Sequence, residues 1–420
     1  MKITFTGVKK LTNSDFTNFA AIVIRAYPGM LPERFSQEDK ESWINRMQAV
    51  HEKNVKINYW GYFKDDVLIG GMILYDYKMS LFDVQMDVGG VGMVCVDLLR
   101  KKEHTAKKLI EFFHQHYLDR GFTITCLWPF RSDFYEKMGY AIGKKMNQYR
   151  FNPDQIRSIS RESTVYFETT DIPELCRFFN SVASHTHGMI LREDLQFKNL
   201  FRDKFVVGYR RNGRIEGYIS FSFRKLSPDN FIRNAIEIHE CIYSTPQAFG
   251  ALLVFLKKQD DQIDQIIFNT PEDSFHLVLT DSRLEDPPMF LTAQASNLQG
   301  VGIMYRILNI KKFFEKLKDR RFAAETIRVK ASVSDTFLPE NSEPFVLSFK
   351  DGHASILPEQ DNFDLEISTD VATFTSILLG IAPFKTLHSY GLIHASDSRY
   401  IEKLDRIFRT KRQPITIEQF

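Results

Sequence analysis

The stretch Gly89-Gly90-Val91-Gly92-Met93-Val94-Cys95-Val96-Asp97-Leu98-Leu99-Arg100-Lys101-Lys102-Glu103-His104-Thr105-Ala106 constrains this chain more than any other. An apolar run with strand character gives way to a basic turn. The turn opens an amphipathic helix with Ala106, Leu109, Ile110, Phe113 and Tyr117 on one face. That order brings cationic side chains and free backbone N–H groups to the point where a strand ends and a helix begins. A helix N-terminus attracts anions through its unpaired donors and the positive end of its dipole. A diphosphate-bearing cofactor fits such a junction, and a solvated basic turn fits it equally well.

The chain has 420 residues, more than one hydrophobic core usually supports, so two or three domains are expected. Its net charge of +2 offers no basic footprint for nucleic acid. Lys311-Lys312 and Arg409-Thr410-Lys411-Arg412 read as short solvated clusters. Cys95, Cys126, Cys176 and Cys241 lie far apart and form neither a CxxC nor a metal-ligand spacing with histidine. No metal is therefore expected, and a cytoplasmic, reducing location fits. The N-terminus lacks the apolar core of a secretory leader. No apolar run approaches the ~20 residues that span a bilayer.

Residues 1–155 have a legible order. Ile3 to Val8 alternates like a strand. Ser14 caps a helix carrying Phe16, Phe19, Ala20 and Ile24, and Ser36 caps a second with Glu38 and Asp39 in its first turn. Strands are expected over 59–63 and 67–75, around Lys64-Asp65-Asp66, and over 86–96. A helix over 103–117, a strand over 122–127, a short helix from Ser132 stopping at Gly139, and a strand from Tyr140 to Phe151 complete the set.

This β-α-α-β-β-β-α-β-α-β order resembles the GNAT N-acetyltransferases. Their acetyl-CoA motif is a basic residue or Gln, two variable residues, Gly, one more, then Gly or Ala. Here the segment reads Lys101-Lys102-Glu103-His104-Thr105-Ala106, with His104 where Gly is usual and Glu103 adding a negative charge. The resemblance implies that the strand Met93, Val94, Cys95 and Val96 holds the acetyl group and pantetheine arm. It implies that Lys101, Lys102, Glu103, His104, Thr105, Ala106 and Lys107 meet the diphosphate, with Phe130 and Arg131 completing the cofactor-binding set.

Residues 156–302 begin with a polar linker, Ser158 to Ser163. Strands over 205–209 and 215–223 flank Arg211-Asn212-Gly213, and a strand over 235–243 leads into a helix over 246–257. The strand–turn–helix recurs, but its turn, Ser244-Thr245-Pro246-Gln247, has no basic residue and no Gly cradle. It reads as a second GNAT-like domain without a cofactor site. Residues 303–420 differ: a helix over 309–317, strands over 326–333, 345–349 and 354–357 with a hairpin at Asp351-Gly352, then a strand over 363–367. Thr369-Asp370 caps a helix reaching Gly380, and further helices start at Phe384 and Ser396. This part resembles the sterol carrier protein type of domain.

The expected fold class is therefore mixed α/β: two GNAT-like domains followed by a sterol-carrier-like domain. That order resembles the Eis acetyltransferases along the whole chain. Gly92-Met93-Val94-Cys95-Val96, Phe134-Tyr135-Glu136-Lys137-Met138-Gly139-Tyr140, Leu279-Thr280-Asp281-Ser282-Arg283, Arg306-Ile307-Leu308-Asn309, Ser368-Thr369-Asp370-Val371, Leu378-Leu379-Gly380, Lys403-Leu404-Asp405-Arg406-Ile407-Phe408 and the last residue, Phe420, carry it. The resemblance implies acetyl-CoA-dependent transfer to a primary amine of aminoglycoside, polyamine or lysine type. It implies Tyr135 as general acid, with Tyr140 structural, and the terminal carboxylate of Phe420 as general base. A terminal carboxyl titrates near ~3.5 in isolation, so this role needs desolvation to raise it. Ile415-Thr416-Ile417-Glu418 alternates like a docked strand. Trp43 and, more weakly, Tyr27 are expected at the acceptor pocket. Gln419 stands where an acidic residue precedes the terminal Phe in the family. A homohexamer built as a dimer of trimers is implied. The alternative is a non-catalytic coenzyme A- or lipid-binding protein with a degenerate GNAT module, which His104 and Glu103 favour.

Overall fold

The structure is a computed structural model that describes residues 4–30, 36–157, 162–202, 204–418 and 420. The first elements in chain order are β1 (Gly7–Lys10), α1 (Phe16–Ala26), α2 (Gln37–Lys53), β2 (Ile57–Lys64), β3 (Val67–Leu81), β4 (Val84–Val96), α3 (Thr105–Asp119), β5 (Ile124–Leu127), α4 (Ser132–Glu136) and β6 (Ala141–Ile142). Strands β1 to β5 lie side by side in that order. They are antiparallel except for the parallel pair β4 and β5. The first strand starts later than expected, at Gly7, and residues 1–3 lie outside the described residues.

Local chemistry sets the ends of these elements. Ser14 is not the first cap: the Asp15 carboxylate accepts from the Thr12 N–H at 2.8 Å and from its hydroxyl at 2.7 Å, in a short 3-10 turn before α1. Ser36 caps α2 as expected, in a reciprocal pair with Asp39. The two-residue turns Asp65-Asp66 and Phe82-Asp83 have positive φ throughout, the conformation whose twist suits a tight hairpin. On one face of the sheet α3 packs Leu109, Ile110, Phe113 and Tyr117 against Ile69, Met72, Leu74 and Val91. On the other, Phe16, Phe19 and Ile44 of α1 and α2 cover Tyr59, Ile73 and Cys95. Phe113 is fully buried, and truncating such a residue to Ala costs about 3–5 kcal/mol.

The strand expected over Tyr140 to Phe151 is broken. The chain leaves the first sheet after β6, and β7 (Met146–Phe151) belongs to a second sheet. The crossing is tight. A Cβ on Gly143 would lie 2.5 Å from the Ile303 carbonyl oxygen, and one on Gly302 would lie 2.0 Å from that of Lys144.

The second unit continues with β8 (Val165–Tyr166), α5 (Ile172–Ala183), α6 (Asp194–Leu200), β9 (Phe205–Arg211), β10 (Arg214–Lys225), β11 (Asn234–Tyr243), α7 (Pro246–Lys257), β12 (Gln265–Thr270), a small hairpin of β13 (Met289–Phe290) and β14 (Ala293–Gln294), and β15 (Leu298–Gly300). Its sheet order is β15-β7-β12-β11-β10-β9-β8, with β11 and β12 parallel. Then β16 (Met304–Ile307) returns to the first sheet and lies between β5 and β6. The two sheets thus trade strands around residues 146–151 and 304–307.

The last unit holds α8 (Ile310–Lys316), β17 (Ile327–Ser334), β18 (Phe345–Lys350), β19 (His353–Leu357), β20 (Leu365–Asp370), α9 (Val371–Leu378), α10 (Phe384–Ser389), β21 (His394–Ala395) and α11 (Ile401–Phe408). The Asp370 carboxylate accepts from the N–H groups of Ala372 and Thr373 and so caps α9. Phe345, Leu347, Phe374 and Leu378 share one apolar cluster with Tyr77, Met79 and Val88 of the first sheet. The final segment runs back over the second unit. It is not a strand: the Ile415 N–H donates to the His187 carbonyl at 2.9 Å, outside any ladder. Ile415 and Ile417 pack against the Phe179 and Phe197 cluster, and Thr416 and Glu418 are also buried. Thr416 and Glu418 are enclosed and the isoleucines half-buried because the tail lies between domains.

Candidate functional site

The site begins with a fault in β4. Strand β5 pairs with β4 only from Gly89 to Val91, and no pairing continues beyond Val91. On the other side, Gly71 pairs Cys95 but Ile73 pairs Gly92, so Met72 faces both Met93 and Val94. Met93 has φ 48°. This is a β-bulge, which leaves a residue unpaired and re-aims its neighbours. It inverts the alternation: Val91 and Val94 both pack on the α3 face, while Met93 and Cys95 face α1 and α2. The Tyr27 hydroxyl donates to the Val94 carbonyl at 2.7 Å. Burial, then nearby Cys95, pushes the Tyr27 phenol up to about 12. Cys95 itself turns its thiol into the opposite core, towards the Gly71 carbonyl at 3.6 Å. Of the expected cofactor contacts of Cys95, only the main chain can therefore apply.

After β4 the Asp97 carboxylate accepts from the Leu99 N–H at 2.9 Å and from Arg25 at 2.7 Å, turning the chain towards α3. Lys102 and His104 have φ 66° and 59°. From Lys101 through Lys107, no main-chain N–H donates a hydrogen bond among the described residues. The Thr105 hydroxyl is buried in the first turn of α3 without a partner. Lys101, Lys102 and Lys107 are exposed around it. Such a run of free donors at a helix N-terminus suits a diphosphate.

The two departures from the family motif are accommodated. His104 holds the left-handed backbone that glycine adopts freely, at a cost of about 1–2 kcal/mol. The Glu103 carboxylate is paired with Lys64 at 2.8 Å and Arg100 at 3.6 Å. The hydrogen bond from Lys64 leads in holding its pKa below the usual range. Its negative charge is thus compensated beside the cradle.

Tyr135 lies on the short α4 and is 2% exposed. Its ring meets Phe130, Phe134 and Tyr140 edge-on, with centroids 5.5, 5.1 and 5.9 Å away. Among the described residues its hydroxyl has no hydrogen-bond partner. Tyr140 differs: its hydroxyl is tied to His114 Nε2 at 2.8 Å and to Thr125 at 3.2 Å. Burial, then Tyr27, holds the Tyr135 phenol well above its ordinary value. Phe130 is exposed, and Arg131 is exposed with its guanidinium on Asp133 at 2.6 Å. Arg131, expected in the cofactor-binding set, thus has its charge locally paired.

Phe420 reaches this sheet from the far end of the chain. Its carbonyl carbon is 2.9 Å from the point where a Cβ on Gly92 would stand. Its ring packs against the stacked pair Tyr75 and Tyr77, at 5.5 and 5.2 Å. Trp128 Nε1 donates to the Glu418 carbonyl at 2.9 Å, and Arg192 Nε donates to the Glu418 carboxylate at 2.6 Å. Gln419 lies outside the described residues. Trp43, half-buried on α2, packs on the same apolar cluster as Tyr27, Tyr75 and Met93. The structure thus gathers Tyr27, Trp43, Met93 and Phe420 along the α1/α2 side of the sheet. Sequence reasoning missed Gly92, Tyr75, Tyr77, Trp128 and Arg192. The glycines of Gly89-Gly90-Val91-Gly92 were the available signal, since glycine inside a strand marks close approach.

The corresponding junction of the second unit is closed. The Thr245 hydroxyl accepts from the Ala248 N–H at 3.2 Å and donates to Glu216 at 2.8 Å. A capped helix end facing a carboxylate repels an anion. Among the described residues there is no group of three or more His, Cys, Asp or Glu that could hold a metal, and no helix long and apolar enough to cross a membrane.

Comparison with known proteins identifies the domains. Residues 7–143 and 188–307 match acetyltransferase (GNAT) domain families, and residues 310–417 match a sterol carrier protein domain. No curated protein matches the chain in sequence. A GCN5-related N-acetyltransferase from Anabaena variabilis is similar in fold, with TM-score 0.80 and 17% identity over 99% of this chain and 100% of that one. A probable N-acyltransferase from Enterococcus faecalis gives 0.78 and 18% over 100% of both chains. Eis1 from Mycobacterium abscessus gives 0.75 and 19% over 99% of this chain and 100% of that one. The domains define the class: this is a GNAT-type acyltransferase carrying two GNAT domains. In fold the chain resembles Eis1, and a sterol carrier protein domain follows the second GNAT domain.

Proposed function

We propose that the chain is an acetyl-CoA-dependent N-acetyltransferase acting on a primary amine, with Tyr135 as general acid and the α-carboxylate of Phe420 as general base. The observation that carries this reading is the placement of the Phe420 carboxyl carbon against Gly92, two residues before the Val94 bulge. The free N–H groups of Lys101 to Lys107, the Thr105 hydroxyl and the surrounding lysines suit the cosubstrate's diphosphate. The thioester then lies along the opening past Val91, beside the bulged main chain of Met93 and Val94. Backbone donors there polarise its carbonyl. The acceptor amine enters on the α1/α2 side, past Tyr27 and Trp43, and the Phe420 carboxylate takes its proton. The nitrogen bonds to the acetyl carbon, the C–S bond breaks, and the leaving sulfur takes the Tyr135 proton. Tyr135 suits that role because burial keeps its phenol protonated.

The pairing of Glu103 with Lys64 and the left-handed backbone held by His104 weigh against a non-catalytic binding module. The acceptor is an amine of aminoglycoside, polyamine or lysine type, and the enzyme works as a cytoplasmic closed oligomer of six chains. Exposed Phe231, Ile232, Phe290 and Leu291 support subunit contacts. The test is thiol release from acetyl-CoA across an amine panel. Turnover with at least one amine, and none without amine, supports the reading. Acetyl-CoA binding without turnover on any amine returns the chain to a binding role.

A further inference from the structure

The tail that delivers Phe420 is held two residues earlier by a buried ion network. Arg192 is 7% exposed, and its fork reaches two carboxylates: Nε to Glu418 at 2.6 Å and Nη2 to Glu240 at 2.7 Å. Glu240 also accepts from the Tyr218 hydroxyl at 2.9 Å. The guanidinium lies over the rings of Phe179 and Phe197, at 4.3 and 5.5 Å. The Arg192 main chain is fixed in turn, since its N–H and carbonyl both bond the Asn180 amide, at 2.9 and 2.8 Å. Glu418 is therefore gripped twice, by its carboxylate from the second unit and by its carbonyl from Trp128 of the first.

A buried network of this kind adds little stability over an apolar replacement. What a planar guanidinium bridging two carboxylates adds is fixed geometry. Two extended residues span at most about 7 Å, so a group anchored at Glu418 leaves the Phe420 carboxyl little freedom. We infer that Arg192 is a positioning residue for that carboxylate, and that the second unit, whose own junction is closed to an anion, serves as the clamp that aims the tail at the bulge in β4. The inference rests on the reading of Phe420 as base.

A double-mutant cycle tests it. Glu418→Leu removes the grip of Arg192 on the tail, keeps the Trp128 bond to the main chain, and leaves the Arg192–Glu240 pair and the Tyr218 bond in place. The expected result is a 10- to 100-fold fall in kcat, with the acetyl-CoA Kd within twofold of the parent, because residues 101–107 are untouched. Glu418→Gln still accepts from Arg192 and should recover most of kcat. Deleting Phe420 should lower kcat by a larger factor, on the order of 10²–10⁴. Adding Glu418→Leu to that deletion should lower it no further, since the clamp acts only through the carboxylate. Arg192→Lys, which keeps the charge but loses the fork, gives the same cycle in a variant able to fold if Glu418→Leu does not. Its expected kcat loss is intermediate. If the Phe420 deletion is inactive while Glu418→Leu and Arg192→Lys retain full kcat, the clamp is overturned and the base reading stands. If the Phe420 deletion keeps full kcat, the base reading falls and the clamp with it. Losses that multiply in the double variant also overturn the clamp, because Glu418 would then act elsewhere.

Discussion

The carbonyl carbon of Phe420 lies 2.9 Å from the place a Cβ on Gly92 would take, closer than real Cβ contacts allow. The atom it meets is backbone, with no flexible side chain to give way. Gly92→Ala should therefore displace the end of the chain while β4 keeps its pairing with β3. We expect kcat to fall at least tenfold, as misplacement of about 1 Å can cost far more. Acetyl-CoA affinity should hold within twofold. Steady-state kinetics with calorimetry checks this, and an unchanged kcat removes Gly92 from the site.

Tyr135→Phe deletes one hydroxyl from an otherwise enclosed ring that bonds to nothing else among the described residues. Turnover should drop by about 10²–10⁴ with little change in acetyl-CoA affinity. Tyr140→Phe should instead reduce stability, since it strips the partner of buried His114. Normal turnover by Tyr135→Phe would assign the acid elsewhere.

His104 bears a left-handed backbone that glycine adopts without strain. Relief of that strain in His104→Gly should raise stability by up to about 1 kcal/mol, net of the added chain entropy. Acetyl-CoA should bind as tightly or more so. A tenfold weaker complex by calorimetry would mean that the imidazole itself holds the ligand.

One histidine should make the fold acid-sensitive. His187 Nε2 donates to the Leu379 carbonyl at 2.9 Å and Nδ1 accepts from the Phe82 N–H at 3.3 Å, so the neutral ring ties three parts of the chain together. Burial leads in lowering its pKa to about 4; Arg320 lowers it further, and the Leu379 bond and Asp83 act against. With the folded pKa depressed, this contribution is complete above about pH 6.5, where the unfolded ring is also neutral. It is lost as pH falls towards 4, by about 3 kcal/mol in all. Melting curves from pH 7 to 4.5 should show that fall, and His187→Gln should flatten it. Parallel curves for the two proteins would rule His187 out as the source.

What the sequence shows of this fold is what short-range chemistry sets. Ser36, Asp370 and the Asp351-Gly352 turn were legible because caps and hairpins depend on neighbours. The Met93–Val94 bulge was not, because β-pairing register depends on the partner strand. The apparent strand from Tyr140 to Phe151 hid a crossing between sheets, since an apolar strand reads the same in either one. At the site, the basic junction before α3 was plain in Lys101 to Lys107. Trp128 and Arg192 carried no local sign, because their partner, Glu418, is 290 and 226 residues away. The tail also buries more than its sequence suggests, with Thr416 and Glu418 enclosed and the isoleucines half-buried.

The most direct test of the central claim extends the chain at Phe420 by one glycine, starting from protein whose mass shows Phe420 as the last residue. The extension keeps the Phe420 ring against Tyr75 and Tyr77 but turns its carboxyl into an amide. The new carboxylate is displaced by ~3.3 Å. Turnover should fall by at least 10²-fold, with melting temperature and acetyl-CoA affinity unchanged, and an equal addition at the N-terminus should be harmless. A folded, extended enzyme with full turnover would contradict the account and leave the end of the chain with a packing role alone.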